Sequence, residues 1–197
     1  YAYHRDASVR AHFWPAGQPA RNPDEKYVVD ATAPAPSTAY KTIVILPGFT
    51  EFCEKYSAEV LHFHEKGYHV LIIDWPGQGQ SGHFGRHPLA VHCTDFDHHL
   101  SALDAVISAV GLDGHEVVLF GHSMGGHLAL RYAAWRPYKV EAVILTAPMM
   151  APPVMPVWLI RVTSYVLGGL GLARSHPPFH RVFSLDWVRH YRPENVL

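Results

Sequence analysis

The sequence predicts an α/β domain: a mostly parallel β-sheet with helices on both faces. Three observations predict it. Four short apolar runs, at 42–46, 69–74, 115–120 and 139–148, are rich in β-branched residues and too short for buried helices. Segments with apolar residues at helical spacing alternate with them, and near-continuous apolar strands separated by helices are the pattern of a parallel sheet buried on both faces. Between the third run and the helix after it stands a serine flanked by glycines, a placement that suits a sharp strand-to-helix turn.

Each element has its own signal. Residues 8–14 alternate Val9, Ala11 and Phe13 on one face and predict a strand. The Pro/Ala-rich link TAPAPS at 32–37 leads to the run TIVIL at 42–46, closed by Pro47-Gly48. Residues 54–66 predict a helix, with Gly67 suited to the position after its end. HVLIID at 69–74 predicts a buried strand and runs into the glycine-rich loop WPGQGQSGHFGRH. The segment 94–110 places Leu100, Leu103, Val106, Ile107 and Val110 on one helical face, with Thr94 and Asp97 spaced as a capping box. HEVVLF at 115–120 predicts a strand, MGGHLALRYAAW at 124–135 a helix with Leu128, Ala129, Tyr132 and Ala133 as its apolar stripe, and KVEAVILTAP at 139–148 the last clear strand.

Composition narrows the function classes. A chain of 197 residues, 48% hydrophobic and 17% charged, is long enough for one core and predicts one domain or a little more. The net charge of −1 and the lack of a basic stripe argue against a nucleic-acid partner. Residues 1–150 hold 11 Lys+Arg against 15 Asp+Glu, whereas 151–197 hold 5 arginines against Asp186 and Glu194, a mildly cationic tail. Cys53 and Cys93 show neither disulfide-framework nor zinc-site spacing and read as free thiols. The 16 histidines include the close pairs His62/His64, His83/His87 and His98/His99, but no H-E-x-x-H or Cys/His array accompanies them, so no metal is expected. No secretory signal is visible at the start, and a cytoplasmic location, with membrane contact left open, is the expectation.

The chemistry is concentrated in Gly121-His122-Ser123-Met124-Gly125, which fits the G-x-S-x-G nucleophile elbow. Glycines on both sides let strand and helix approach closely while the serine hydroxyl is presented at the apex. Ser123 is therefore the candidate nucleophile.

Together, ILPGFTEFCEKY (45–56), DWPGQGQSG (74–82) and GHSMGG (121–126) resemble the α/β-hydrolase superfamily, closest to its monoacylglycerol lipase and lysophospholipase L2 group, also labelled serine aminopeptidase S33. The resemblance covers roughly residues 5–150. It implies the α/β-hydrolase fold and an oxyanion hole made by the backbone N–H groups of Phe49 and Met124. Where the family usually has His-Gly this chain has Pro47-Gly48; proline removes one donor, but the two amides in question belong to later residues. Glu51 and Tyr56 match the family's oxyanion loop and are expected to fix its shape, with direct substrate contact an equal alternative. Asp74, Gly77 and Gly79 are read as structural, the aspartate capping the turn that follows it. His122 is not expected to be the base, which in this superfamily comes from a loop near the C-terminus.

The triad order Ser, then acid, then His raises a difficulty of length. Two further strand-and-helix units at ~30 residues each need on the order of 60 residues. Only 50 follow Ala147. Residues 148–197 read instead as the start of a helical cap: the stretch 150–172 is apolar, with Pro152, Pro153 and Pro156 at its head and Trp158, Val162, Tyr165 and Val166 on one side of a helix. Arg161 and Gly168-Gly169 interrupt it too much for a membrane span. Trp158 and Tyr165 are the candidate substrate contacts of a lid over an acyl chain. Asp186 and His190 stand in triad order, and Glu194 follows every histidine, but the pair falls in the cap segment and is a poor triad candidate. The expectation is a chain comprising the N-terminal part of the hydrolase core (1–147) and the start of a cap (148–197), the C-terminal part of the fold absent, with acid and base beyond Leu197.

The function expected is a serine carboxylic-ester hydrolase acting on a monoacyl lipid, lysophospholipid or monoacylglycerol, through an acyl-enzyme on Ser123 and without a cofactor. The same scaffold also supports small-ester esterases, aminopeptidases and acyltransferases, and a short form that only binds lipid or a partner is the non-enzymatic alternative. Serine rather than aspartate at 123 counts against dehalogenase and epoxide-hydrolase chemistry. Head group, chain length and oligomeric state are not specified by the sequence.

Overall fold

The computed structural model describes residues 8–18, 36–82, 95–150 and 157–170. The chain divides into two compact units, Tyr1–Pro153 and Val154–Leu197. In the first, five strands form one sheet: β1 (Ala11–Trp14), β2 (Thr42–Leu46), β3 (His69–Ile73), β4 (Val117–His122) and β5 (Val140–Thr146). Their order is β1-β3-β2-β4-β5, with β1 antiparallel to β3 and every other pair parallel.

Successive residues of a strand point to opposite faces, so the apolar runs supply two cores at once. On one face Val44, Leu46, Leu71 and Ile73 pack with α2 (Phe96–Ala109) and α3 (Met124–Trp135) through residues such as Leu103 and Leu128. On the other, Ile43, Ile45, Val70 and Ile72 pack with Tyr56 and Val60, the latter from α1 (Ser57–Glu65). Burial of both faces explains why β2 and β3 are apolar at every central position. The five residues predicted for the inner face of α2 are all buried.

Several boundaries differ from expectation, each for a local reason. The strand predicted from residue 8 begins at Ala11, because Ser8 and Arg10 bond the 74–82 segment instead: Gly82 N–H donates to Ser8 O at 2.8 Å and Arg10 N–H to Ser81 Oγ at 2.8 Å. The helix predicted over 54–66 opens as a 3-10 turn, Cys53–Tyr56, before α1. Gly67 ends it as expected, in the left-handed region at φ 85°. The cap of α2 is Asp95 rather than Thr94: the Asp95 carboxylate accepts from Asp97 N–H at 2.9 Å, and the helix starts at Phe96. Asp95 is the stronger competitor, since its short carboxylate reaches the second N–H of the helix without a box partner.

The second unit contributes α4 (Val157–Gly169), which begins directly after Pro156. No helix among the described residues is long and apolar enough to cross a membrane.

Candidate active site

The elbow is built by β4 entering α3 without a loop. Ser123, between them, has φ 50° and ψ −116°, outside the regions open to side-chain-bearing residues. Such backbone costs on the order of 1–3 kcal/mol and persists only where its surroundings hold it. They do: Ser123 N–H donates to Thr146 O at 3.0 Å, and Ser123 O accepts from Met149 N–H at 2.9 Å and His127 N–H at 3.2 Å. The elbow glycines are required by space. A Cβ on Gly125 would lie 1.9 Å from Leu46 O, and one on Gly121 2.7 Å from Gly126 Cα. The opening residue of α3 is Met124, whose N–H belongs to the first turn, where a helix has no acceptor of its own.

Beside the elbow lies the loop after β2. A Cβ on Gly48 would stand 3.2 Å from Ser123 Cβ, so the loop backbone passes against the serine. Its amides are pinned on both sides of Phe49. Gly48 N–H donates to Glu51 Oε2 at 2.7 Å, Thr50 N–H to Gln78 Oε1, and Glu51 N–H to Gly48 O at 3.3 Å. Phe49 N–H has no partner among the described residues, while the Phe49 side chain is exposed. Pro47, where the resemblance leads one to expect histidine, has its carbonyl held by Trp75 Nε1–H at 2.8 Å.

Glu51 organises this loop. Besides Gly48 N–H, its carboxylate accepts from Tyr56 OH and Lys55 Nζ, and His122 Nε2 stands 3.9 Å away. Burial pushes the Glu51 carboxyl up, but hydrogen bonds from Lys55, Tyr56 and Gly48 outweigh it and hold it below the ordinary carboxylate range. Burial and the Glu51 charge together raise Tyr56, which stays protonated and donating. The His122 ring, partly exposed, reaches Thr146 Oγ1 through Nδ1 at 3.0 Å.

A second polar knot fixes the 74–82 segment. Asp74, fully buried, accepts from Cys53 N–H and Gln80 N–H at 2.8 Å each, and pairs with Arg10 at 3.0 Å, which also meets Glu54. This is the turn cap expected of Asp74, extended to two more chain segments. Gly79 is left no room for a side chain, since a Cβ would fall 2.2 Å from Asp74 Oδ2, and both Gly77 and Gly79 have positive φ.

The structure thus brings Ser123, Phe49, Met124, Glu51 and Tyr56 into one region. Trp158 and Tyr165 lie on α4 in the second unit, both exposed. Asp186, His190, Glu194, Cys93 and the pair His83/His87 fall outside the described residues. Cys53 is a free, buried thiol, and no group of three or more metal-type ligands occurs among the described residues. Trp75 and Gln78 escaped the sequence reading. They sit in a loop legible as glycine-rich, but only the pairing of β2 with β3 shows which backbone they reach.

Comparison with known proteins agrees with this architecture. The family model described as serine aminopeptidase, S33 matches residues 37–188. Lysophospholipase L2 of Escherichia coli K12 is 30% identical over 152 residues, covering 76% of this chain and 43% of that protein. Phospholipase YtpA of Bacillus subtilis is 30% identical over 109 residues, 55% of this chain and 40% of that protein. Among solved structures, the monoacylglycerol lipase of Paleococcus ferrophilus superposes with a TM-score of 0.53 at 29% identity, over 64% of this chain and 46% of that one. The chain therefore spans less than half the length of these relatives. An elbow with its supporting loops in register, inside a family match over most of the chain, is no chance motif: this chain belongs to the serine aminopeptidase S33 family of α/β-hydrolases, in its lysophospholipase and monoacylglycerol lipase group.

Proposed function

We propose that the full-length protein is a serine carboxylic-ester hydrolase acting on monoacyl lipids, lysophospholipid or monoacylglycerol. The observation that carries the reading is the strained, clamped backbone of Ser123 beside a loop in which the Gly48, Thr50 and Glu51 amides are engaged and Phe49 N–H, between them, has no partner among the described residues. In the reaction a base takes the Ser123 proton, Oγ attacks the ester carbonyl, and the tetrahedral oxyanion is held by Phe49 and Met124 N–H groups. The intermediate collapses to an acyl-enzyme as the alcohol leaves, and water then releases the fatty acid. The acid and histidine that complete a triad are assigned to parts of the full-length protein outside the described residues.

A monoacyl substrate is supported by the apolar surroundings. Phe49, Phe52 and Met150 are exposed on the loops next to Ser123, and Met149 is bonded to the Ser123 carbonyl. The similarity to a lysophospholipase and to a monoacylglycerol lipase points the same way.

The test is Ser123→Ala in the full-length protein, assayed on long-chain monoacylglycerol and lysophospholipid and with a fluorophosphonate probe. Loss of at least about 10³-fold in kcat together with loss of labelling is expected. Retained turnover, or labelling at another residue, overturns the assignment. Preference for short p-nitrophenyl esters or proline amides would replace the lipid substrate with one of the alternative chemistries.

A further inference from the structure

We propose that the 75–78 turn is the clamp that presets the oxyanion amide of Phe49, with Gln78 as a positioning residue acting through Thr50; this rests on Phe49 N–H being an oxyanion donor. The turn holds the loop after β2 at two points on either side of Gly48 and Phe49. Trp75 Nε1–H donates to Pro47 O at 2.8 Å, and Gln78 Oε1 accepts Thr50 N–H. Trp75 and Gln78 are themselves locked together, since Gln78 N–H donates to Trp75 O at 2.9 Å. The turn cannot drift as a unit, because Gly77 N–H bonds Gly82 O at 2.9 Å and Asp74, just ahead of it, is bonded to Cys53, Gln80 and Arg10.

Thr50 is where this grip matters. It occupies the third position of the tight turn closed by Glu51 N–H and Gly48 O, and has φ 63°. Positive φ at that position ordinarily calls for glycine, and a β-branched residue there is a steric outlier that relaxes unless held. The Gln78 carboxamide oxygen holds it. With Gly48 N–H fixed by Glu51 and Thr50 N–H fixed by Gln78, the peptide between them has one orientation, and Phe49 N–H is the donor left over.

The cost accepted at Gln78 supports the assignment. Its side chain is buried at 1% exposure, and Nε2 has no hydrogen-bond partner among the described residues. A buried donor left unmade is unfavourable, so a residue present only to fill space would be apolar. Flipping the amide offers no relief, because Nε2 would then face the Thr50 N–H, donor against donor. Among the described residues, the one bond the carboxamide makes is to the oxyanion loop.

The test uses the full-length protein with Gln78→Met, which keeps length but loses the acceptor, and Gln78→Glu, which keeps an acceptor oxygen. For each, kcat and KM on a monoacylglycerol are measured with the affinity for two inhibitors: a trifluoromethyl ketone, whose adduct with serine carries an oxyanion, and a non-hydrolysable monoalkyl glycerol ether, which carries none. A loosened donor predicts kcat and ketone affinity lower by about 10²-fold in Gln78→Met, with KM and ether affinity within about threefold. Gln78→Glu restores kcat to within about tenfold of the parent.

Unchanged kcat and ketone affinity in Gln78→Met overturn the proposal. So does a parallel loss of kcat, ether affinity and thermal stability that Gln78→Glu does not restore, the mark of a packing role alone. The underlying reading fails separately: if Ser123→Ala retains turnover, there is no serine oxyanion to stabilise, and the proposal falls with it whatever Gln78 does.

Discussion

At the level of single residues, the site depends on a few atoms with no freedom to move. Gly125 and Gly79 are packed so closely that a methyl group collides with backbone or carboxylate, and Ser123 and Thr50 are held at positive φ by named hydrogen bonds. Glu51 makes one of these arrangements sensitive to acid. Its folded carboxyl titrates below the unfolded value, so its contribution to stability is fully present above the ordinary glutamate pKa of about 4.3 and is lost as pH falls through the folded value. The melting temperatures of the parent and Glu51→Gln, compared from pH 7 downward, should therefore differ most near neutrality, with the difference shrinking only once the pH falls below the ordinary glutamate value of about 4.3. A difference independent of pH would mean that the Glu51 charge does not hold the loop.

At the level of elements, the helices were legible because each carries its own periodicity. All five residues of the α2 stripe are buried, as are Leu128, Ala129 and Tyr132 of the α3 stripe, while Ala133 is half-buried; both ends of α3 coincide with the predicted 124–135. The start of α2 was less legible, since Thr94 and Asp95 are both residues that cap helices, and only the hydrogen bond to Asp97 N–H separates them. Asp95→Ala should lower stability by about 1 kcal/mol in urea unfolding with little change in m. An unaffected midpoint would return the cap to Thr94. The 3-10 turn before α1 was illegible as such. Its residues bond outside the helix, Cys53 N–H to Asp74, 21 positions on, and Tyr56 OH to Glu51 in the loop before it, and a helical pattern in sequence carries no record of such partners.

On the scale of the whole molecule, the sheet is what makes remote segments meet. Parallel pairing of β2 with β3 and β4 sets the loop after β2 between the elbow and the 74–82 segment. Cys53 reports on the integrity of this arrangement. Its thiol is buried, and burial first, then the Asp74 carboxylate, push its pKa up, so the reactive thiolate is suppressed twice over. In a Cys93→Ser background, modification of Cys53 by a disulfide reagent at pH 8 should be negligible in buffer and should follow global unfolding as urea is raised. Fast labelling in buffer would show that the 3-10 turn opens independently of the sheet.

By itself the sequence determined the alternation of strands and helices, the elbow serine and its glycines, and the resemblance that singles out Phe49 and Met124. These are local signals: side-chain periods of 2 and 3.6, turn residues at set offsets, and short contiguous motifs. Only the tertiary structure decided that β1 runs antiparallel at the sheet edge, that Asp74 ties together three segments, and that Trp75 and Gln78 grip the loop carrying Phe49. The physical reason is that Gln78 and Thr50 are separated by 28 positions in the chain, and a hydrogen bond between such residues exists only once two strands have paired in register.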